Sequence, residues 1–403
     1  MRSVAVVGAS LAGLSAARAL RAQGYDGRIK LIGDETRPPY DRPPLSKEFL
    51  VSGTSAEELA LTTDDDDSLG IDWRLGTTAT ALDAGERRIT LSDGGDVRAD
   101  GVVIATGARA RTLPGADGMS GVHTLRTLDD ALALRASLRS GGPLVVIGAG
   151  FIGSEVASTA MAAGLDVTVV EALPVPLAGP LGADMGSTCA GLHADHGVPL
   201  LCGTPVRRLL ADGDGSPPGF SRGRVNGVQL TDGTVLPAAT VLVGIGAVPN
   251  TEWLAGSGLT VRDGVLTDAN CATGLPHVVA VGDCAASYHP AAARHVRTEH
   301  WTHAHRQPET AVRTLLAGDD ASGRPPTPLP YFWSEQYGVR IQFAGDRQDG
   351  DSVRIESGDP EDRCFLAVYE RDGRPTAVLA MNQSKQFTRW RRQLATGWTT
   401  VPT

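Results

Sequence analysis

The chain has 403 residues, 49 of them glycine, and a formal net charge of −9 with a pI near 5.5. At ~150 residues per domain that length allows two or three domains, each with its own core. The acidic balance argues against nucleic-acid binding, and no apolar run approaches the ~18 residues of a membrane span. The five cysteines (Cys189, Cys202, Cys271, Cys284 and Cys364) have neither a CxxC nor a metal-ligand spacing, which fits thiols in a reducing compartment.

The first residues run straight into an apolar strand, 4–7, with no signal-peptide pattern, so a cytoplasmic location is expected. The turn Gly8-Ala9-Ser10-Leu11-Ala12-Gly13 follows, then a helical pattern and a second strand over 28–32 that closes on Gly33-Asp34-Glu35. This is a βαβ dinucleotide unit in which Ser10 takes the place of the middle glycine, and Asp34 or Glu35 would hold a ribose. Residues 36–50 contain Pro38, Pro39, Pro43 and Pro44, which keep the chain extended. Ser46 is expected to cap a short helix there, with Arg42 and Lys47 as cations on a stiff segment. The acidic run 64–67 reads as a solvated loop, and 71–100 as a small antiparallel insert. An apolar strand over 102–104 then ends on Ala105-Thr106-Gly107, Leu113-Pro114-Gly115 reads as a crossover, and a helix is expected over 128–138.

The run Leu144-Val145-Val146-Ile147 precedes Gly148-Ala149-Gly150-Phe151-Ile152-Gly153, a helix over 151–163, and a strand over 166–170 that ends on Glu171. Strand, glycine turn, helix, strand and acid together are the complete dinucleotide fingerprint. Gly148 makes the turn, Gly150 admits a pyrophosphate and Gly153 lets helix and strand pack. A carboxylate at Glu171 suits the free hydroxyls of an adenosine ribose and would repel a 2′-phosphate. No Arg or Lys follows before Arg207, so NADH is expected rather than NADPH. The two glycine turns, and the strands that end at Gly107 and Gly246, recur at an offset of about 140 residues, too long for a solenoid. That offset describes two similar nucleotide-binding domains, one inserted in the other.

Residues 199–240 repeat the antiparallel insert, with a tip over 213–219 that lacks ordering signals. A buried strand leads into Gly282-Asp283, a helix is expected over 301–316 and a linker over 324–328. Strands and turns then fill 330–403 up to a basic helix over 387–394.

At the level of motifs the chain resembles the NADH-dependent ferredoxin reductases that serve oxygenases. The likeness runs through the Gly8 turn, Arg42-Pro43-Pro44-Leu45-Ser46-Lys47, Ala105-Thr106-Gly107, Leu125-Arg126-Thr127-Leu128 and residues 148–155. It continues through Gly244-Ile245-Gly246 with Pro249-Asn250, Val281-Gly282-Asp283-Cys284, and Phe332-Trp333-Ser334-Glu335-Gln336-Tyr337. It implies an α/β fold with two Rossmann-like, glutathione-reductase-type nucleotide-binding domains and a C-terminal α+β domain. The FAD domain would comprise 1–112 and 241–322, the NADH domain 113–240 and the interface domain 323–403.

The same likeness places FAD contacts at Ala12, Asp34, Lys47, Ala79, Arg126, Asp283 and Trp301, with Glu35 and Arg42 beside them. Ala79 would act through its backbone at the adenine, and Asp283 at the ribityl or pyrophosphate groups. Glu155 would meet the nicotinamide amide, and Trp333 would shield the flavin. With the glycine turns, the cofactor-binding set also includes Gly8, Ser10, Gly13, Ala105, Thr106, Gly107, Gly148, Gly150, Ile152, Gly153, Glu171, Gly246 and Gly282. Lys47 and Glu155 would form the catalytic pair. No metal ligand set is present.

The implied partner is a [2Fe–2S] or [3Fe–4S] ferredoxin, and through it a haem-thiolate or ring-hydroxylating oxygenase. The protein itself would be a monomer or homodimer. Arg294, Arg297 and Arg306, or Arg389 with Arg391 and Arg392, are the candidate basic surfaces for an acidic ferredoxin. The alternatives are an NADH reductase of rubredoxin or another acceptor, and a flavoprotein redox sensor resembling apoptosis-inducing factor. A disulfide reductase needs a redox cysteine near residues 40–50, and the first cysteine is Cys189.

Overall fold

The computed structural model describes residues 1–212, 223–290, 292–318 and 329–398. The expected tip over 213–219 and linker over 324–328 lie outside the described residues. Two five-stranded parallel sheets carry the architecture. In the first, Ser3–Val7 lies between Gly101–Ile104 and Arg28–Ile32, with Val278–Ala280 and Ile71–Arg74 at the edges. In the second, Leu144–Ile147 lies between Thr240–Val243 and Val167–Glu171, with Val122–His123 and Leu200–Cys202 at the edges. Both central strands are buried along their whole length. Parallel strands covered on both faces need such unbroken apolar runs, which is why these two stood out in the sequence.

The two units match strand for strand in their centres, and each carries a three-stranded antiparallel insert. One insert is Ala79–Asp83, Arg88–Leu91 and Asp96–Arg98. The other is Val206–Ala211, Val225–Leu230 and Val235–Pro237. Four expectations need correction. Ile71–Arg74 is not part of the first insert, since it extends the parallel sheet beside Arg28–Ile32, and Leu200–Cys202 is not part of the second, since it pairs in parallel with Val167–Glu171. Residues 64–67 are not a solvated loop: Asp64–Leu69 is a 3₁₀ helix, and the buried Asp66 carboxylate takes two hydrogen bonds from Arg18, 2.8 Å from Nε and 2.7 Å from Nη2. Thr240–Val243 pairs with Leu144–Ile147, so the change of unit expected between 240 and 241 comes after that strand.

The C-terminal region is an antiparallel sheet in the order Tyr331–Gln336, Val339–Gly345, Arg374–Met381, Cys364–Arg371 and Ser352–Asp359. One face packs Phe365, Tyr369, Leu379 and Met381 against Leu181, Met185, Cys189 and Leu192 of the second unit. The other face packs Leu366, Val368 and Val378 under Phe387 and Leu394 of helix Ser384–Trp398. Arg363 adds a two-pronged ion pair with Asp195, at 2.7 and 3.1 Å, across the first of these contacts. Among the described residues, no helix is long and apolar enough to cross a membrane.

Candidate active site

The two glycine turns are built alike. Gly8 and Gly148 have φ of +119° and +103°, a region that favours glycine. A Cβ on Gly8 would stand 2.0 Å from the carbonyl oxygen of Ala105, and one on Gly148 would stand 2.3 Å from that of Gly244. Each turn thus crosses the end of its neighbouring strand with no room for a side chain. Gly13 and Gly153 close the fit, since a Cβ on them would meet the Gly8 and Gly148 carbonyls at 1.8 and 2.1 Å. Gly150 differs from all of these. It has φ −74°, and nothing lies within 4 Å of the Cβ it lacks. That gap opens at the N-terminus of helix Phe151–Ala162, where the free N–H groups suit a pyrophosphate. Beside it, the apolar Ile152 is left 46 % exposed.

The acids at the strand ends sort themselves. Glu171 accepts hydrogen bonds from the N–H of Ala149 at 2.9 Å and of Leu173 at 2.9 Å, which fixes its carboxylate against the second turn. In the first unit the position in register with Glu171 is Gly33, where a Cβ would stand 2.4 Å from that of Ala9. The acid is therefore displaced along the chain. Glu35 is engaged by Arg42 at 2.6 Å and by the Tyr40 hydroxyl, while Asp34 is exposed and accepts from the N–H of Glu35, at 3.0 Å. Gly76 and Thr77 donate to the carbonyls of Glu35 and Gly33, which brings the start of strand Ala79–Asp83 beside this end.

Arg42 is central to the first cradle. Its Nη1 donates to the Arg126 carbonyl at 2.5 Å, its Nε points at Ser10 Oγ at 3.4 Å, and its guanidinium lies over the Tyr40 ring. Ser10, in extended backbone, thus keeps a hydroxyl where the fingerprint has glycine, and Arg42 uses it. Arg126 is placed by a capping box. Asp130 accepts from the N–H groups of Arg126 and Thr127 at 2.9 and 3.0 Å, and Thr127 Oγ1 accepts from the Asp130 N–H at 3.1 Å. The Arg126 side chain donates to Asp283 at 2.5 Å and to the Ala108 carbonyl at 2.8 Å.

Thr106, Gly107 and Asn250 exchange three hydrogen bonds, which tie the Ala105-Thr106-Gly107 turn to the return strand Ala247–Pro249. That strand pairs with Ala108–Ala110, and Arg111 donates to the Gly246 carbonyl at 2.9 Å. Gly282, at φ +71°, approaches helix Leu11–Ala22 so closely that its absent Cβ would lie 3.1 Å from that of Ala12.

Between the cradles, Lys47 Nζ donates to Glu155 Oε2 at 2.9 Å and to the Pro43 carbonyl at 3.0 Å. Ser46 does not cap the helix, as the sequence pattern suggested. Pro43–Ser46 is a 3₁₀ turn, helix Glu48–Val51 begins after Lys47, and the Ser46 hydroxyl donates to Glu155 instead. Trp301 opens helix Trp301–Ala317 and donates from Nε1 to Asp41 at 2.7 Å. Its ring meets Trp333 edge-on at 6.2 Å. Burial pushes the Asp41 carboxyl up, against the Trp301 hydrogen bond that holds it down. Burial also pulls His300 and His303 down to about 4, and the Nδ1 of each is buried without a partner among the described residues.

Among the expected basic surfaces, Arg294 pairs with Asp346 at 2.8 Å and Arg297 with Asp263 and Glu299. Arg306, Arg389 and Arg392 are exposed, and Arg391 lies over the Tyr331 ring at 4.5 Å. Sequence reasoning missed Tyr40, Asp41, Ser46 and Ser334 as partners of the site. Only the position of Ser46 beside Lys47, and of Ser334 beside Trp333, could have pointed to two of them.

The pyridine nucleotide-disulphide oxidoreductase model matches residues 2–308, and the reductase C-terminal model matches residues 331–402. The chain belongs to the pyridine nucleotide-disulphide oxidoreductase family. Rhodocoxin reductase of Rhodococcus erythropolis is 38 % identical over 99 % of this chain and 91 % of its own length. Putidaredoxin reductase of Pseudomonas putida is 35 % identical over 96 % of this chain and 90 % of its own. The crystal structure of a covalent putidaredoxin reductase–putidaredoxin complex superposes with a TM-score of 0.91, at 33 % identity, covering 98 % of this chain and 93 % of the other. No disulfide is formed: all five cysteines are free, and none falls in a CxxC. Cys284, next to Asp283, is fully buried, and burial raises its thiol out of the reactive range.

The residues fit two dinucleotides. The second cradle has no side chain where a pyrophosphate would lie and the first has only the small Ser10, each has an acid at or just past the strand end, and the Lys47–Glu155 pair stands between the cradles.

Proposed function

We propose that this chain passes electrons from NADH through FAD to a [2Fe–2S] or [3Fe–4S] ferredoxin, which in turn feeds an oxygenase. FAD, when bound, takes a hydride from NADH and gives up electrons one at a time, which is the chemistry that a dinucleotide and an iron–sulfur protein require of an intermediary. The observation that carries the reading is the Lys47–Glu155 pair, in which a cation of the Gly8 unit meets a buried acid of the Gly148 unit.

FAD is assigned to the Gly8 unit, residues 1–112 with the return to 322. There Gly8, Ser10, Ala12, Gly13, Ala105, Thr106, Gly107 and Gly282 form the cradle. Asp34 takes the ribose, because Glu35 is already held by Arg42 and Tyr40. Ala79 lies at the adenine end, and Arg126 and Asp283 lie along the chain toward the ring. NADH is assigned to the Gly148 unit, with Gly150 at its pyrophosphate, Glu171 at its adenosine ribose, and Ile152, Gly153 and Gly246 around them. Lys47 would hold a positive charge beside the bound flavin to offset the charge it gains on reduction, and Glu155 would orient Lys47 and the nicotinamide amide. Trp301, from its helix, and Trp333, from the C-terminal sheet, would shield the flavin. The five free thiols support a cytoplasmic setting, where NADH is available.

The test is NADH and NADPH oxidation coupled to a panel of [2Fe–2S] and [3Fe–4S] ferredoxins and to rubredoxin. The expected result is a yellow protein bleached by NADH that reduces at least one ferredoxin faster than rubredoxin. A protein that stays colourless after reconstitution with FAD overturns the reading. A protein that reduces rubredoxin alone moves it to the other acceptor class.

A further inference from the structure

Two serines that the dinucleotide signatures leave without a task converge on one carboxylate. Ser46 comes from the Pro-Pro-Leu-Ser-Lys segment and Ser334 from the Phe-Trp-Ser segment. The Ser46 hydroxyl donates to Glu155 Oε2, the oxygen that Lys47 also holds. The Ser334 hydroxyl donates to the other oxygen, Oε1, at 2.6 Å, and is itself held by Gln336 Nε2 at 3.0 Å. Ser334 is 0 % exposed, and Ser46 and Glu155 are each 2 % exposed.

The torsion that turns a glutamate carboxylate about its last bond is broad and weakly restrained. Donors on one oxygen leave the plane free to swing, whereas donors on both oxygens fix it. Lys47 and Ser46 act on one oxygen only, so the plane of Glu155 depends on Ser334. Ser334 also arrives by a rigid route. Its neighbour Phe332 packs on Phe151 in the first turn of the Glu155 helix, with ring centroids 4.6 Å apart. The Tyr337 N–H donates to Ser158 Oγ, one turn further on, at 2.7 Å. The strand is thus pinned on both sides of the hydroxyl.

We propose that Ser334, together with Ser46, is a positioning residue for flavin reduction. It sets the plane of the Glu155 carboxylate, so that the C-terminal sheet completes the nicotinamide side of the site. The inference rests on the reading of Lys47 and Glu155 given above.

The experiment is a double-mutant cycle on the holoenzyme with Ser334→Ala and Glu155→Gln. It reads the affinity for NAD⁺ by calorimetry and the stopped-flow rate of flavin bleaching by NADH. Ser334→Ala is expected to slow bleaching about tenfold and to weaken NAD⁺, on the scale of one hydrogen bond to a charged group. Electron delivery from dithionite-reduced enzyme to ferredoxin should stay at the parental rate, and in the Glu155→Gln background Ser334→Ala should add nothing. Parental behaviour of Ser334→Ala in both readouts, or an equal effect with and without Glu155, overturns the inference. If Ser334→Ala does not fold, Ser334→Cys, which keeps the side-chain shape but offers only a weak donor, runs the same cycle, and its additivity with Glu155→Gln overturns it equally. A Glu155→Gln variant that binds NAD⁺ and bleaches like the parent overturns the earlier reading of Glu155 and takes the inference with it.

Discussion

The Arg126 guanidinium donates to the Asp283 carboxylate with 2.5 Å between Nη2 and Oδ2, joining residues 157 apart in the chain. One stands at the start of helix Leu128–Arg139, the other in the last glycine motif of the first unit. Burial works against the charge on Arg126, yet Asp283 outweighs it and the guanidinium is held above its ordinary range. Removing the cation from a pair this close leaves a half-desolvated carboxylate behind. Arg126→Met is therefore expected to weaken FAD about tenfold, on the scale of ~1.4 kcal/mol for one charge-assisted contact. Titration of the apoprotein with FAD checks it, and unchanged affinity would remove Arg126 from the cofactor set.

Lys47 reaches from the first unit to Glu155 of the second. Lys47→Ala leaves Glu155 buried with serine donors only. Flavin reduction by NADH is expected to fall at least about tenfold, the effect of losing ~1.4 kcal/mol of charge stabilisation in the transition state. The matching loss of an ion pair 16 % and 3 % exposed should also lower the melting temperature. A parental bleaching rate in the stopped-flow instrument would refute the role of Lys47.

Most of this site was legible because its parts are local. The glycine turns, their strands and the acid at Glu171 all lie within one βαβ unit, where spacing alone defines geometry. Lys47 and Glu155 could be named because each sits in a distinctive motif. The rest depended on long-range closure. Ser46 reads as a helix cap until Glu155, 109 residues away, claims its hydroxyl. Asp66 reads as one of four solvated acids until Arg18 reaches it from the first helix. Thr240–Val243 could be placed in either unit until its register with Leu144–Ile147 was known. In each case the deciding partner lies far off in sequence, where neither periodicity nor propensity carries information.

The two later glycines of the second turn should separate folding from binding. Gly150→Ala adds a methyl where nothing stands within 4 Å, at a φ that alanine tolerates. The variant is expected to melt with the parent and yet to bind NADH at least about tenfold more weakly, since the methyl occupies the space a pyrophosphate needs. Gly153→Ala places its methyl 2.1 Å from the Gly148 carbonyl oxygen and should lose ~1–3 kcal/mol of stability. Thermal denaturation together with NAD⁺ calorimetry on both variants distinguishes the two effects. An equal loss of stability would mean that Gly150 serves packing rather than the cofactor.

Acid should unfold the protein through its buried histidines before its carboxylates. His193 lies 1 % exposed between the Tyr337 hydroxyl, 2.7 Å from Nδ1, and Ser154 Oγ, 3.2 Å from Nε2, with His196 close by. Burial, with a smaller push from His196, lowers it from 6.5 to about 4. The folded ring stays neutral while the unfolded chain takes up a proton, so stability is full above pH 6.5 and falls as the pH drops toward 4. The slope is ~1.4 kcal/mol per pH unit for each such group, and the loss levels off below the folded pKa. His300 and His303 are lowered to about 4 in the same way and act in the same window. Asp66, which Arg18 holds below its ordinary 3.8, contributes only at lower pH still. The melting temperature is therefore expected to decline between pH 6.5 and 4, and His193→Gln, which keeps a polar side chain between Tyr337 and Ser154, should make that decline shallower, with His123, His289 and His305, also lowered by burial, carrying part of the rest. A His193→Gln profile parallel to the parent's would mean that the His193 ring is charged in the folded protein.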